Sequence, residues 1–347
     1  MLRDAGYPLA RRRRPGLGAA PTVACPCRRR APQVRPARPG RELAGGEARA
    51  RGGSPGGEDG GGAPAAPHRI RWGVVTPSGH IRRAARPVRI ARFSLDGNVA
   101  FGVVEGDADT EGGPVLDIIK GHPFAEFERS GQRLPLDKVR LLPPVLPNKV
   151  VAIGRNYAEH AREMGNEVPD APVVFFKPST SVCGPHDPVA YPSFSSEVHY
   201  EAELAVVIGR LCKDVPRERV KDVILGYTCG NDITARDIQR AESQWARAKG
   251  FDTSCPLGPW VETELDPSDL GVMCTVNGEQ RQLGRTSEMV RSVEDLIVHI
   301  TEAMTLLPGD VVLTGTPAGV GPLSVGDEVA VTIEGIGTLT NKVVKRD

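Results

Sequence analysis

Two glutamates one residue apart, Glu201 and Glu203, lead into the apolar run Leu204–Ile208 in the stretch HYEAELAVVIG. On a strand, side chains alternate faces with period two, so both carboxylates project to one side about 7 Å apart. Two anions this close repel unless positive charge lies between them. A solvated strand end would satisfy them with water, and the pair alone reads that way. Asp232, in NDITARD, adds a third carboxylate after the glycine-punctuated segment GYTCG. Three hard oxygen ligands with no accompanying histidine or cysteine set suit Mg²⁺ or Mn²⁺, with water or substrate filling the rest of the shell. Zinc would want nitrogen or sulfur.

His160 and Glu163 lie three apart in GRNYAEHAREM. On a helix they share a face, where the carboxylate orients the imidazole and raises its basicity, the usual arrangement of a general base. The same spacing also fits an ordinary charged surface helix. Lys249, just before a glycine-marked loop, and Arg236 supply positive charge that would offset three carboxylates beside an anionic substrate, and Gln239 shares a helical side with Arg236. GTPAGVG, residues 315–321, lacks the Gly-Lys-Ser/Thr ending of a nucleotide loop. The Thr316 hydroxyl and free backbone amides there could hold a substrate carboxylate, or the segment is simply a tight turn.

The elements that must position these groups are mostly strands. RIARFSL and NVAFGVVEG flank Asp96-Gly97, a preferred two-residue hairpin turn. Short β-branched or aromatic runs at Val150–Ile153, Val173–Phe176 and Glu203–Ile208 read as strands bounded by Gly or Pro. Asn277-Gly278 marks another hairpin, and Val329, Val331 and Ile333 alternate before a glycine turn. One helix is clear: Ser292 and Asp295 form a capping signature, followed by Val293, Leu296, Ile297, Ile300, Met304 and Leu307 at helical spacing up to Pro308-Gly309. With few helices and no βαβ rhythm, the expected fold is a mixed, mainly antiparallel β architecture of the α+β kind. Residues 88–140 are expected to form a small β-rich domain, 141–148 a proline linker, and 141–347 with that linker the catalytic domain.

The 347 residues carry a net charge of +1, which gives no long-range pull toward nucleic acid or membrane. The longest apolar runs fall far short of the roughly 20 residues of a membrane helix. Seven thinly scattered cysteines without a C-x-x-C pair read as reduced thiols of a cytoplasmic protein. Residues 1–87 are a different polymer, rich in Arg, Gly and Pro and without lysine, the first of which is Lys120. This composition predicts a disordered extension with no core. Its Gly and Pro density opposes an amphipathic transit peptide, and its two aromatic rings, Tyr7 and Trp72, form no interleaved series for base stacking. The abrupt start of patterned sequence at Val88 is read as a mis-assigned start upstream of the true one. Intact mass of the native protein tests that reading.

Taken in order, GRNYAEHAREMGNEVPDAPVVFFKPST, HYEAELAVVIG, GYTCGNDITARDIQ, ARAKGFDTSCPLGPW, TVNGEQRQ, LTGTPAGVGPL and VGDEVAVTIEGIGTLTN resemble the fumarylacetoacetate hydrolase family. The resemblance covers about residues 88–347 and is strongest from Val150 onward. It implies a β-roll catalytic domain behind a small N-terminal domain, a homodimer and one divalent ion. It also implies that Glu201, Glu203 and Asp232 are the metal ligands, and that His160 and Glu163 form an acid/base pair on a lid that becomes helical over substrate. Arg236, Gln239, Lys249 and Thr316 would contact substrate, with Lys177 of FFKPST a further candidate. The founding hydrolase supplies one more aspartate from the region before its catalytic histidine, whereas GRNYAE has none. This chain is therefore similar to the shorter branch of acylpyruvate hydrolases, oxaloacetate decarboxylases and hydroxyhepta-dienedioate isomerases.

The chemistry implied is cleavage of a C–C bond in an acylpyruvate-type β-diketo acid through an enolate stabilised by the ion. His160, oriented by Glu163, would activate water, while Lys249 and Gln239 position the substrate and carry its developing charge. Isomerisation or decarboxylation at the same site is the alternative. A non-catalytic binding protein is the remote one, and its expected mark, loss of a ligand or of the His–Glu pair, is not found.

Overall fold

The computed structural model describes residues 88–107 and 109–346, so the expectation for residues 1–87 lies outside the described residues. The protein is mainly β with a few short helices. Its largest sheet runs, in spatial order, Phe127–Pro135, Val115–Gly121, Asn98–Glu105, Arg89–Leu95, Cys255–Glu262, Ile224–Asn231, Ala202–Ile208, Val311–Leu313, Lys149–Gly154 and Val173–Pro178, with two short strands beside this path. Neighbours on the path pair antiparallel except Val311–Leu313 with Lys149–Gly154, which pair parallel. A five-stranded sheet holds the expected hairpins Gly271–Val276/Glu279–Arg285 and Glu328–Ile333/Gly337–Lys345.

The strand Ala202–Ile208 is buried along its whole length, which explains its unbroken apolar composition. Leu204, Val206 and Ile208 enter one core cluster, together with Leu296, Ile297 and Ile300 of the helix Val293–Ala303. Ala205 and Val207 enter a second cluster on the opposite face, with Val150, Val311, Leu313 and Leu257. Glu201 and Glu203 share the parity of this second face. The capping box at Ser292 is present, its Oγ accepting from Asp295 N. The helix ends at Ala303 rather than continuing through Met304 and Leu307, because Leu306 and Cys212 exchange backbone hydrogen bonds of 2.9 and 3.0 Å that hold the chain extended.

Arg89–Leu95 pairs with its hairpin partner in the register set by Asp96-Gly97. It also pairs with Cys255–Glu262, at Arg89 with Glu262 and Ile90 with Val261. The N-terminal strands therefore continue the same sheet that carries the acidic residues. No helix among the described residues is long and apolar enough to cross a membrane. Cys183, Cys212, Cys229, Cys255 and Cys274 are buried free thiols.

Candidate active site

Antiparallel pairing of Ala202–Ile208 with Ile224–Asn231 sets Ala202 opposite Asn231 and Glu203 opposite Gly230. Asp232 follows directly, its N–H donating to Glu201 O at 2.9 Å. Asn231 turns its side-chain oxygen back to accept from Glu201 N at 3.0 Å. One strand end and its neighbour's end thus bring Glu201, Glu203 and Asp232 together, with one oxygen from each within 4.8 Å of the others. All three carboxylates are buried, Glu203 to 1 % exposure, so the solvated strand end is excluded.

Burying three anions together is costly unless cations answer them. Lys249 Nζ donates to Glu201 Oε2 at 2.8 Å and to Asp232 Oδ2 at 2.6 Å. Arg236 Nη2 donates to Glu201 Oε1 at 2.5 Å, and its Nη1 reaches Gln239 Oε1 at 2.6 Å. Burial alone would raise the Glu201 carboxyl, but Lys249 and Arg236 hold it well below the usual carboxylate range. Burial would lower the Lys249 ammonium, and Asp232 and Glu201 raise it instead. Glu203 stands apart: among the described residues it accepts one hydrogen bond, from Gly315 N at 2.7 Å, and forms no ion pair. Burial, then the charges of Asp232 and Glu201, push its carboxyl well above the ordinary value. A divalent ion fits this arrangement, because the donors are three convergent hard oxygens and one of them lacks a countercharge.

His160 and Glu163 sit on the one-and-a-half-turn helix Ala158–Glu163, with His160 Nδ1 3.3 Å from Glu163 Oε2. Glu163 in turn accepts from Gly319 N, at 3.1 and 3.2 Å to its two oxygens. The segment GTPAGVG therefore offers its amides to the protein's own carboxylates, Gly315 to Glu203 and Gly319 to Glu163, rather than to a substrate carboxylate. Both glycines need their residue type: φ is +97° and +98°, and a Cβ on Gly315 would meet Asn156 Cβ at 2.8 Å.

One cavity of about 280 Å³ is lined by His160, Glu201, Glu203, Asp232, Arg236, Gln239, Lys249 and Thr316, with Phe175, Trp245 and Met164 on its apolar side. Glu163 stands behind His160. Lys177 departs from its expected substrate contact. It is fully buried behind Asp232, donating to Asp232 Oδ1 at 2.7 Å, to Ile233 O at 3.4 Å and to Lys249 O, so all three protons are engaged within the protein. Two positioning residues escaped the sequence reading. Asn156 bonds Thr314 O, Arg291 O and Arg291 N, tying the strand end to the glycine segment. Gln282 accepts from Ala202 N and donates to Thr316 Oγ1 and Pro317 O, each at 2.8 to 3.0 Å. Both lie inside quoted motifs, GRNYAE and TVNGEQRQ, where buried amides among charged residues were the available signal.

Fold and site together define an enzyme with a buried acidic triad that could hold a metal ion and a histidine–carboxylate pair beside one cavity. The chain belongs to the fumarylacetoacetate hydrolase family. Its residues 149–344 match the family's Fumarylacetoacetate (FAA) hydrolase C-terminal domain, and residues 88–144 match the Rv2993c-like, N-terminal domain. It is 49 % identical to the crystal structure of 2-hydroxyhepta-2,4-diene-1,7-dioate isomerase from Mycobacterium marinum, over 75 % of this chain and 99 % of that one, with a TM-score of 0.70. It is 46 % identical over 204 residues to oxaloacetate tautomerase YcgM of Escherichia coli, 57 % of this chain and 93 % of the relative. It is 35 % identical to fumarylpyruvate hydrolase from Pseudomonas aeruginosa, solved in complex with Mn²⁺ and pyruvate, over 60 % of this chain and 92 % of that one, with a TM-score of 0.56.

Proposed function

We propose that this enzyme moves a proton on a small 2-oxo acid, interconverting keto and enol forms of an oxaloacetate-like dicarboxylate. The observation that carries the reading is the placement of His160, backed by Glu163, over the same cavity as the acidic triad and Lys249. With Nδ1–H directed at the Glu163 carboxylate, Nε2 keeps its lone pair and can take a proton from the carbon next to the keto group, then return it. Gly319 N–H holds Glu163, so the dyad is fixed to the glycine segment rather than free on a surface helix. Lys249, positively charged between Glu201 and Asp232, presents its charge where the enolate oxygen gains negative charge. Mg²⁺ or Mn²⁺, held by Glu201, Glu203 and Asp232, would supply Lewis-acid stabilisation of that same charge. The Mn²⁺ in the fumarylpyruvate hydrolase relative supports this ion class.

Tautomerase and isomerase relatives at 46 and 49 % identity favour proton transfer. Hydrolysis of an acylpyruvate-type β-diketo acid is the second reading, favoured by the fumarylpyruvate hydrolase relative; there His160 activates water instead. Assembly as a homodimer belongs to either reading and is tested by sedimentation equilibrium. Purified protein with Mg²⁺ is to be assayed against enol-oxaloacetate, a hydroxymuconate-like diacid, acetylpyruvate and fumarylpyruvate. Accelerated ketonisation of the diacids, lost in His160→Ala, is expected. Turnover of the diketones alone would replace this reading with the hydrolytic one.

A further inference from the structure

The edge strand Glu279–Arg285 of the five-stranded sheet carries a β-bulge: Thr275 pairs with Gln280 and Cys274 with Gln282, so Arg281 stands opposite no residue of the neighbouring strand. Strict alternation would put Gln280 and Gln282 on one face. The extra residue turns them apart, leaving Gln280 exposed and Gln282 fully buried, with Leu283 turned out to 66 % exposure. Gln282 Oε1 accepts from Ala202 N, between Glu201 and Glu203, and that N–H can only donate. Gln282 Nε2 donates to Pro317 O, which can only accept. The amide therefore has one orientation, and its second N–H donates to Thr316 Oγ1 at 2.8 Å.

Thr316 thus accepts from Gln282, and its own hydroxyl proton is left over. Thr314, two residues earlier, gives its hydroxyl proton to Leu204 O at 2.9 Å. Thr316 is buried too, yet among the described residues its Oγ1–H reaches no acceptor, and it lines the cavity together with His160 and Lys249. We propose that Gln282 is a positioning residue: by occupying a lone pair of Thr316 Oγ1 it directs the Thr316 proton into the cavity, making this hydroxyl a fixed donor to an oxygen of the bound 2-oxo acid. The inference rests on the reading of the site as one for 2-oxo acids and adds what orients its hydroxyl. A donor already aimed does not have to leave another partner when the ligand arrives. The same amide ties the chain between Glu201 and Glu203 to the segment that carries Thr316, so the acidic centre and this donor keep a fixed spacing.

Two experiments on the full chain test this. Neutron diffraction from the deuterated, ligand-free protein reads the hydroxyl directly. The expected result is a Thr316 deuteron pointing away from Gln282 into the cavity, with the two Gln282 Nε2 deuterons on Thr316 Oγ1 and Pro317 O. A Thr316 deuteron on Gln282 or on Pro317 O overturns the inference. Calorimetric titration with pyruvate in saturating Mn²⁺ reads the consequence. Thr316→Val is expected to weaken pyruvate binding about tenfold or more, the range of a hydrogen bond to a charged group, and Thr316→Ser to stay within about threefold of the unmodified protein. Gln282→Met, close in volume, is expected to cost about fivefold with Thr316 in place and less than about twofold in the Thr316→Val background. Equal losses in the two backgrounds would give Gln282 a merely structural role and overturn the inference. Should Gln282→Met fail to fold, the neutron structure of the unmodified protein still decides. If pyruvate does not bind the unmodified protein, the 2-oxo acid reading fails, while the deuteron position settles the role of Gln282 by itself.

Discussion

Glu203 is the carboxylate whose surroundings explain least without an ion. Glu201 has two cationic partners and Asp232 has Lys249 and Lys177, whereas Glu203 has a single amide and two anionic neighbours. Glu203→Gln removes a buried charge that burial and repulsion both oppose, so in chelator the variant is expected to melt above the unmodified protein. Its Mn²⁺ affinity should fall at least about tenfold, as losing a direct ligand requires. Calorimetric titration and a melting curve in EDTA check the two signs together; a lowered melting temperature in EDTA would mean that Glu203 is satisfied by the protein alone. Lys177 makes the opposite case. Lys177→Met leaves Asp232 with one cation and strips hydrogen bonds from Ile233 O and Lys249 O, so a loss of about 3–5 kcal/mol in unfolding free energy is expected, measured by urea titration. The apolar isostere is chosen so that the lost volume is small and the lost charge carries the effect.

Among the elements, the short helix Arg236–Ala241 has to keep Arg236 and Gln239 in the cavity, and it has no side-chain N-cap. Asp237 in its first turn substitutes for one, accepting from Ser195 Oγ at 2.6 Å, Ser196 N at 2.9 Å and Ile238 N at 2.9 Å. Partial burial would raise this carboxyl, but the hydrogen bonds from Ser195, Ser196 and Ile238 bring it down to about 2. Because the folded value lies below the unfolded one near 3.9, the stabilisation is present above about pH 4 and fades as pH falls toward 2. Asp237→Asn should therefore melt lower than the unmodified protein at pH 7, and the gap should close between pH 4 and 2, by scanning calorimetry. A gap independent of pH would assign the effect to packing. Strands of this kind are legible in sequence because alternation and β-branching act locally, as at Ala202–Ile208 and the Asp96-Gly97 hairpin. The bond from Gly319 N to Glu163 spans 156 positions, and no local pattern announces it. Lys177 in FFKPST reads alike whether its protons go to substrate or to Asp232, and Met304 keeps helical spacing although Cys212 draws the following residues into extended pairing. In each case a tertiary partner decides what the local residues leave open.

Over the whole described chain, the open question is whether the N-terminal strands melt with the acidic site or apart from it. The sequence suggests a separate small domain, and its strands do carry their own apolar clusters. Yet the strand Arg89–Leu95 is laddered to Cys255–Glu262, Thr263 N donates to Val88 O at 3.2 Å, and Arg89 lies over the Trp260 ring at 5.6 Å. Trp260 also packs against the N-terminal cluster, while Trp245 lines the cavity. Trp245 thus reports the cavity and Trp260 the seam where the N-terminal strands join the rest of the sheet, once Trp72, which lies outside the described residues, is replaced by phenylalanine. In that background, Trp245→Phe leaves Trp260 as reporter and Trp260→Phe leaves Trp245. A continuous sheet predicts that fluorescence melts of the two variants each coincide with their own circular dichroism melts. Mn²⁺ at about 100 times its dissociation constant adds about 2.7 kcal/mol to whatever unit binds it. If the sheet unfolds as one, both reporters move up together with the ion; if only Trp245 moves, the seam at Trp260 melts with the first strands as a cooperative unit that the acidic site does not hold.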